Sequence, residues 1–101
     1  MKRDDDFIRE LLFEIEASDD PYLIADLVLS PSAEDLKRHM HAKWLSDAGL
    51  LLEENDGVFR ITNQGHDYLA AIRDDGIWKK TKAAAPGAGG GGLGVMRDIA
   101  V

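Results

Sequence analysis

The stretch from Asp47 to Lys82 does most to limit what this chain can fold into. It runs Asp47-Ala48-Gly49-Leu50-Leu51-Leu52, then a polar tip of Glu53, Glu54, Asn55, Asp56 and Gly57. Val58-Phe59-Arg60-Ile61-Thr62 and Gln64-Gly65-His66-Asp67-Tyr68-Leu69 follow. Gly49 marks the end of a helix, because glycine takes the left-handed cap conformation without penalty. Asn55-Asp56-Gly57 between two apolar runs signals a hairpin, since these residues tolerate positive φ. Thr62 starts a new helix as its cap. Helix, hairpin and helix in that order point to an α+β winged-helix fold. It would have three to four helices and a small antiparallel hairpin as its wing.

The flanking segments fit that frame. Phe7, Ile8, Leu11, Leu12 and Ile15 recur at helical spacing, which predicts a helix from Asp5 to Ala17. Asp4, Asp5 and Asp6 stand at its start, where carboxylates satisfy free N–H groups. Tyr22-Leu23-Ile24 looks like a short strand, and Ala25 to Leu29 suits either strand or one helical turn. Ser32 followed by Asp35 resembles a capping box that opens a helix to Ala48. Leu36, Met40, Trp44, Leu45 and Ala48 are its expected buried side. In a winged helix this segment is the recognition helix. The segment before it is too short for the bracing helix of a helix-turn-helix. Leu69 and Ile72 are expected to face inward from the next helix, and Gly65 to mark a close backbone approach. Ile77 to Ala85 continues as a basic amphipathic helix. The expected division is a domain at 1–85, a Gly-rich linker at 86–94 and an apolar tail at 95–101.

Charge narrows the functional classes. The chain has 12 basic and 19 acidic side chains, for a net charge of −7. Residues 1–30 alone hold nine of the acidic ones. Nucleic-acid binders draw affinity from cations that neutralise phosphates, and here only small clusters offer them. Lys37, Arg38, His41 and Lys43 on the expected recognition helix are the candidate nucleic-acid contacts. Glu53, Glu54 and Asp56 on the wing tip, with Asp5, Asp6 and Glu10 on the first helix, are the candidate protein contacts. Trp78, Lys79, Lys80 and Lys82 combine aromatic and basic character and suit an acidic partner. Trp78 itself is expected in the core.

Catalytic and cofactor chemistry finds little footing. The chain has no cysteine, which removes disulfides, thiolate metal sites and a thiol nucleophile. His39 and His41 lie about 200° apart around a helix and do not share a ligand. His66 is expected as a capping or core-edge residue, so no metal site is expected. Gly89, Gly91 and Gly94 match a dinucleotide fingerprint formally, but no strand leads into them. No cofactor and no enzymatic activity are expected. No apolar run approaches a membrane span, and the acidic start lacks a signal-peptide core. A soluble, cytoplasmic protein without membrane partners is the expectation.

Arg60 to Lys82 carries a resemblance. Gly65-His66-Asp67 and Arg73-Asp74-Asp75 with Trp78-Lys79-Lys80 look like the motifs of a domain-of-unknown-function family. Its members are short proteins from phages, prophages and their bacterial hosts. The resemblance covers about four fifths of the chain and includes Met1 to Asp4 and His41 to Leu51. It implies a winged-helix-like fold and residence on mobile elements. It carries over no functional residues. The expected role is protein–protein binding that modulates or inhibits a host protein or protein–nucleic-acid complex, for example a defence system such as CRISPR. The alternative is a DNA-binding transcriptional regulator, which at this charge would act as a homodimer.

Overall fold

The computed structural model describes residues 1–87. The elements run α1 (Asp5–Ala17), β1 (Tyr22–Ile24), α2 (Ala33–Asp47), β2 (Leu51–Asn55), β3 (Val58–Ile61), α3 (Asn63–Ile72) and α4 (Asp75–Gly87). The three strands form one antiparallel sheet in the order β1-β3-β2. Among the described residues the architecture is α+β, with four helices and a small three-stranded sheet.

Local chemistry sets most boundaries. Asp4 caps α1 by accepting the Phe7 N–H at 3.1 Å. Ser32 and Asp35 complete a reciprocal capping box on α2, each bond 3.1 Å long. At the other end of α2, Gly49 sits at φ 77°. There its N–H reaches Ser46 O at 3.0 Å and the Leu50 N–H reaches Leu45 O at 3.0 Å. This pair of hydrogen bonds to the last turn is a Schellman closure, which needs the left-handed residue that glycine supplies. Thr62 then ties the end of α2 to the start of α3. Its hydroxyl donates to Gly49 O at 2.6 Å and accepts the Gly65 N–H at 3.0 Å.

The core lies between the helices and one face of the sheet. Ile8, Leu11, Leu12 and Ile15 of α1 pack with Leu23, Leu51 and Phe59 from the strands and Tyr68, Leu69 and Ile72 from α3. Gly65 is where α3 meets the chain entering β2. A Cβ there would lie 2.2 Å from Leu50 O.

Three expectations need correction. The buried side of α2 is His41, Ala42 and Leu45. Leu36 is exposed, while Trp44 and Ala48 only border the core. The helix is turned toward His41 because that ring finds partners on α1. Ala25 to Leu29 forms neither strand nor helix. Finally, α4 carries on through Pro86 and Gly87, two residues into the expected linker. The remainder of the expected linker and the whole apolar tail lie outside the described residues.

Candidate functional site

The basic residues of α2 are already occupied. Lys37 Nζ sits 3.1 Å from Asp4 Oδ2 and 4.5 Å from the centre of the Phe7 ring. Arg38 grips Glu14 with both terminal nitrogens, at 3.0 and 2.5 Å. Its Nε donates to the Ile24 carbonyl at 3.2 Å. That hydrogen-bonded guanidinium holds the Glu14 carboxyl below its ordinary value. Lys43 Nζ meets Glu53 Oε1 at 2.7 Å, and the Gly57 N–H meets Glu53 Oε2 at 3.0 Å. Those contacts, Lys43 first, lower the Glu53 carboxyl.

His41 does not belong to a basic surface, contrary to its assignment among the nucleic-acid contacts. It is fully buried. Nε2 accepts the Asp4 backbone N–H at 2.8 Å. Nδ1 therefore carries the proton and donates to Lys37 O at 2.6 Å. The ring packs edge-on against Phe7 and Trp44, with centroids 4.9 and 4.8 Å away. A polar residue at an inward helical position looks like surface in the sequence. Only the α1 terminus that receives it shows otherwise. His66, expected as a capping or core-edge residue, is exposed, while His39 Nδ1 lies 2.7 Å from Ala25 O. Among the described residues, no group of three His, Asp or Glu side chains gathers as a metal site would require.

The acidic candidates divide. Glu53 is committed to Lys43, Glu54 to Arg60 at 2.8 Å and Asp5 to Arg3 at 2.8 Å. Asp6 Oδ1 accepts from the Trp78 indole N–H and from Lys82 Nζ, both at 2.8 Å. Lys82 first, then Trp78, holds the Asp6 carboxyl low. Glu10 and Asp56 are exposed and form no ion pair within the described residues.

The α4 cluster also splits. Trp78 is buried, as expected for a core residue, and Lys82 turns inward over its ring toward Asp6. Lys79 and Lys80 stay exposed. Arg9, which the sequence does not single out, stitches this corner. It donates to the Ile72 and Arg73 carbonyls at 3.1 and 3.0 Å and pairs with Asp75 at 2.9 Å. Its guanidinium lies over Phe13 and Trp78.

A feature missing from the sequence reading is the outer face of the sheet. Register pairs Tyr22 and Leu52 with Arg60 from either side, so all three project to one face. Tyr22 is 43% exposed, Ile24 63% and Leu52 43%. The loop after β1 adds Leu27, Val28 and Leu29, the last 98% exposed. Asp20 takes the Tyr22 N–H at 3.0 Å and Asp26 the Leu27 N–H at 2.8 Å. Asp26 also leans on the hairpin turn, since a Cβ on Gly57 would meet its Cβ at 2.6 Å. Gly57 keeps φ at 73° there. The sequence signal was the mostly apolar segment from Ala25 to Leu29, which suited strand and helical turn alike.

No helix among the described residues is long and apolar enough to cross a membrane. A family model described as "Hypothetical protein (DUF2513)" matches residues 2–91. No curated protein and no solved structure matches the chain.

Proposed function

We propose that this chain, which belongs to the DUF2513 family, is a non-enzymatic protein-binding module built on a winged-helix-like frame. In that frame α2 takes the recognition position and β2–β3 the wing. The segment between β1 and α2 stands where a bracing helix would be. The observation that carries the proposal is the fate of the α2 cations. Lys37, Arg38 and Lys43 are each spent on a carboxylate of α1 or β2, or on the Asp4 cap. To meet phosphates they would have to leave Asp4, Glu14 and Glu53 uncompensated beside the same phosphates. That is a poor exchange for a binding mode driven by neutralisation.

The surface left over is acidic and suits a basic protein. Opposed charge raises the association rate and excludes wrong partners. For a short protein with the phage resemblance, a concrete form of this activity is occupation of a host complex. The basic nucleic-acid channel of a defence machine such as CRISPR is the kind of surface it would block.

Recovery of a tagged full chain from host lysate, with and without nuclease, tests the proposal. A stoichiometric protein that survives nuclease is the expected result. Nuclease-sensitive DNA alone, lost on joint Lys37→Glu and Arg38→Glu substitution, would make the chain a DNA-binding regulator instead.

A further inference from the structure

The geometry points to the outer sheet face and the loop after β1 as the docking surface, and to a partner with an apolar centre ringed by lysine or arginine. This rests on the protein-binding reading above and replaces the wing-tip and α1 carboxylates as its main contact. Tyr22, Ile24, Leu27, Val28, Leu29 and Leu52 supply the apolar part, each at least 43% exposed. Single exposed apolar residues are ordinary, but six drawn from one sheet face and its adjoining loop are not. No helix among the described residues draws on them for the core, and Leu23, Phe59 and Leu51 turn the other sheet face inward.

Charge selects the occupant. The cations at this surface are satisfied within the molecule, Arg60 by Glu54 and Arg38 by Glu14. Asp20, Asp26 and Asp56 border it and form no ion pair within the described residues. A second copy would bring the same carboxylates together across the contact, and a nucleic acid would bring phosphates. A basic-rimmed apolar partner gains from both parts at once. Apolar burial supplies the affinity, and the carboxylate rim supplies orientation and rate.

The test titrates the isotope-labelled full chain by NMR with two designed amphipathic helical peptides. One carries leucine on one face and lysine on the other, and the second has glutamate in place of lysine. The expected result is binding of the leucine–lysine peptide alone, with shifts at Tyr22, Ile24, Leu27 to Leu29 and Leu52. Joint Ile24→Asp and Val28→Asp substitution should weaken it by about tenfold or more. If that double variant loses its folded spectrum, Leu29→Lys serves, since the side chain is 98% exposed.

Shifts confined to Asp5, Asp6 and Glu10, or to Asp56, would overturn this surface and leave the protein-binding reading standing. Equal binding of both peptides, or of neither, would overturn it as well, with lysate recovery judging the broader reading separately. Self-association abolished by Val28→Asp would give the surface to a second copy. Contacts from Leu93, Val95, Met96 or Ile99 onto it in the free chain would give it to the protein's own tail. Either result would overturn the proposal.

Discussion

The backbone N–H of Asp4 donates to Nε2 of His41 at 2.8 Å, so the residue that caps α1 is itself held by the middle of α2. The imidazole fills a site lined by Phe7 and Trp44 and satisfies an N–H that would otherwise be left without a partner. His41→Ala opens a cavity and strands that donor. The expected loss is about 2–4 kcal/mol in urea unfolding, combining the cavity and hydrogen-bond costs. A loss below about 0.5 kcal/mol, the usual range of surface changes, would mean that the ring is not structural. The nitrogen shifts of His41 should show the proton on Nδ1.

Gly65→Ala is expected to destabilise despite alanine's better helix propensity. The preference for alanine contributes about 1 kcal/mol. The added methyl, however, meets Leu50 O at 2.2 Å and Ile61 Cγ1 at 2.6 Å. Leu50 O is backbone that also receives the Thr62 N–H at 3.1 Å, so it has little room to retreat. The net loss should be about 2 kcal/mol or more by thermal or urea unfolding, in line with other overpacked positions. A gain in stability on Gly65→Ala substitution would refute this approach of α3 to Leu50.

Tyr68→Phe should be neutral or stabilising. The Tyr68 side chain is fully buried, and its hydroxyl has no hydrogen-bond partner among the described residues. Burial above all pushes the phenol well above its ordinary value. An unsatisfied buried hydroxyl costs about 1–3 kcal/mol, and removing it keeps the ring's packing. A gain of up to about 1 kcal/mol in urea unfolding is expected. Tyr68→Ala should instead lose about 3–5 kcal/mol, as for other buried aromatics. A marked loss in the phenylalanine variant would reveal a partner for the hydroxyl.

Stability should fall in acid. Asp4 is held below its ordinary carboxyl value of 3.8 by the Phe7 N–H and then by Lys37. Asp6 is lowered by Lys82 and Trp78, and Glu14 falls below 4.5 through Arg38. Glu16 and Glu53 follow suit through Arg73 and Lys43. Each folded value lies below the unfolded one. The stabilisation is therefore complete above the unfolded values and drains away as pH drops through the folded ones. The urea midpoint should hold near neutrality and decline below about pH 4.5. Each pair is exposed enough that its share is small. A midpoint that rises on acidification through that range would contradict these pairings.

What the sequence made legible was local. The bounds of α1, the Ser32 capping box, the Asn55 to Gly57 turn and the Thr62 cap each depend on residues within a few positions of one another. The tight approach at Gly65 was also visible, because a glycine early in a helix has few other reasons to be there. The charged faces were not legible. Lys37 and Arg38 look like a free basic stripe along α2, but their partners Asp4 and Glu14 are 33 and 24 residues away. Arg9 carries no signal in the sequence, and its backbone acceptors lie at the end of α3. Such contacts follow from how α1 crosses the other helices, which periodicity does not encode.

The contact between Arg38 and the Ile24 carbonyl has a consequence for assembly. An edge strand with open carbonyls invites another chain to add a strand, the common route to aggregation. Here the guanidinium occupies Ile24 O while held by Glu14, and Asp20 occupies the Tyr22 N–H on the same margin. On this margin of β1, two of the backbone groups that an added strand would need are already taken by side chains of the same molecule. The apolar surface thus lies beside a sheet margin that offers fewer open backbone groups to a further strand.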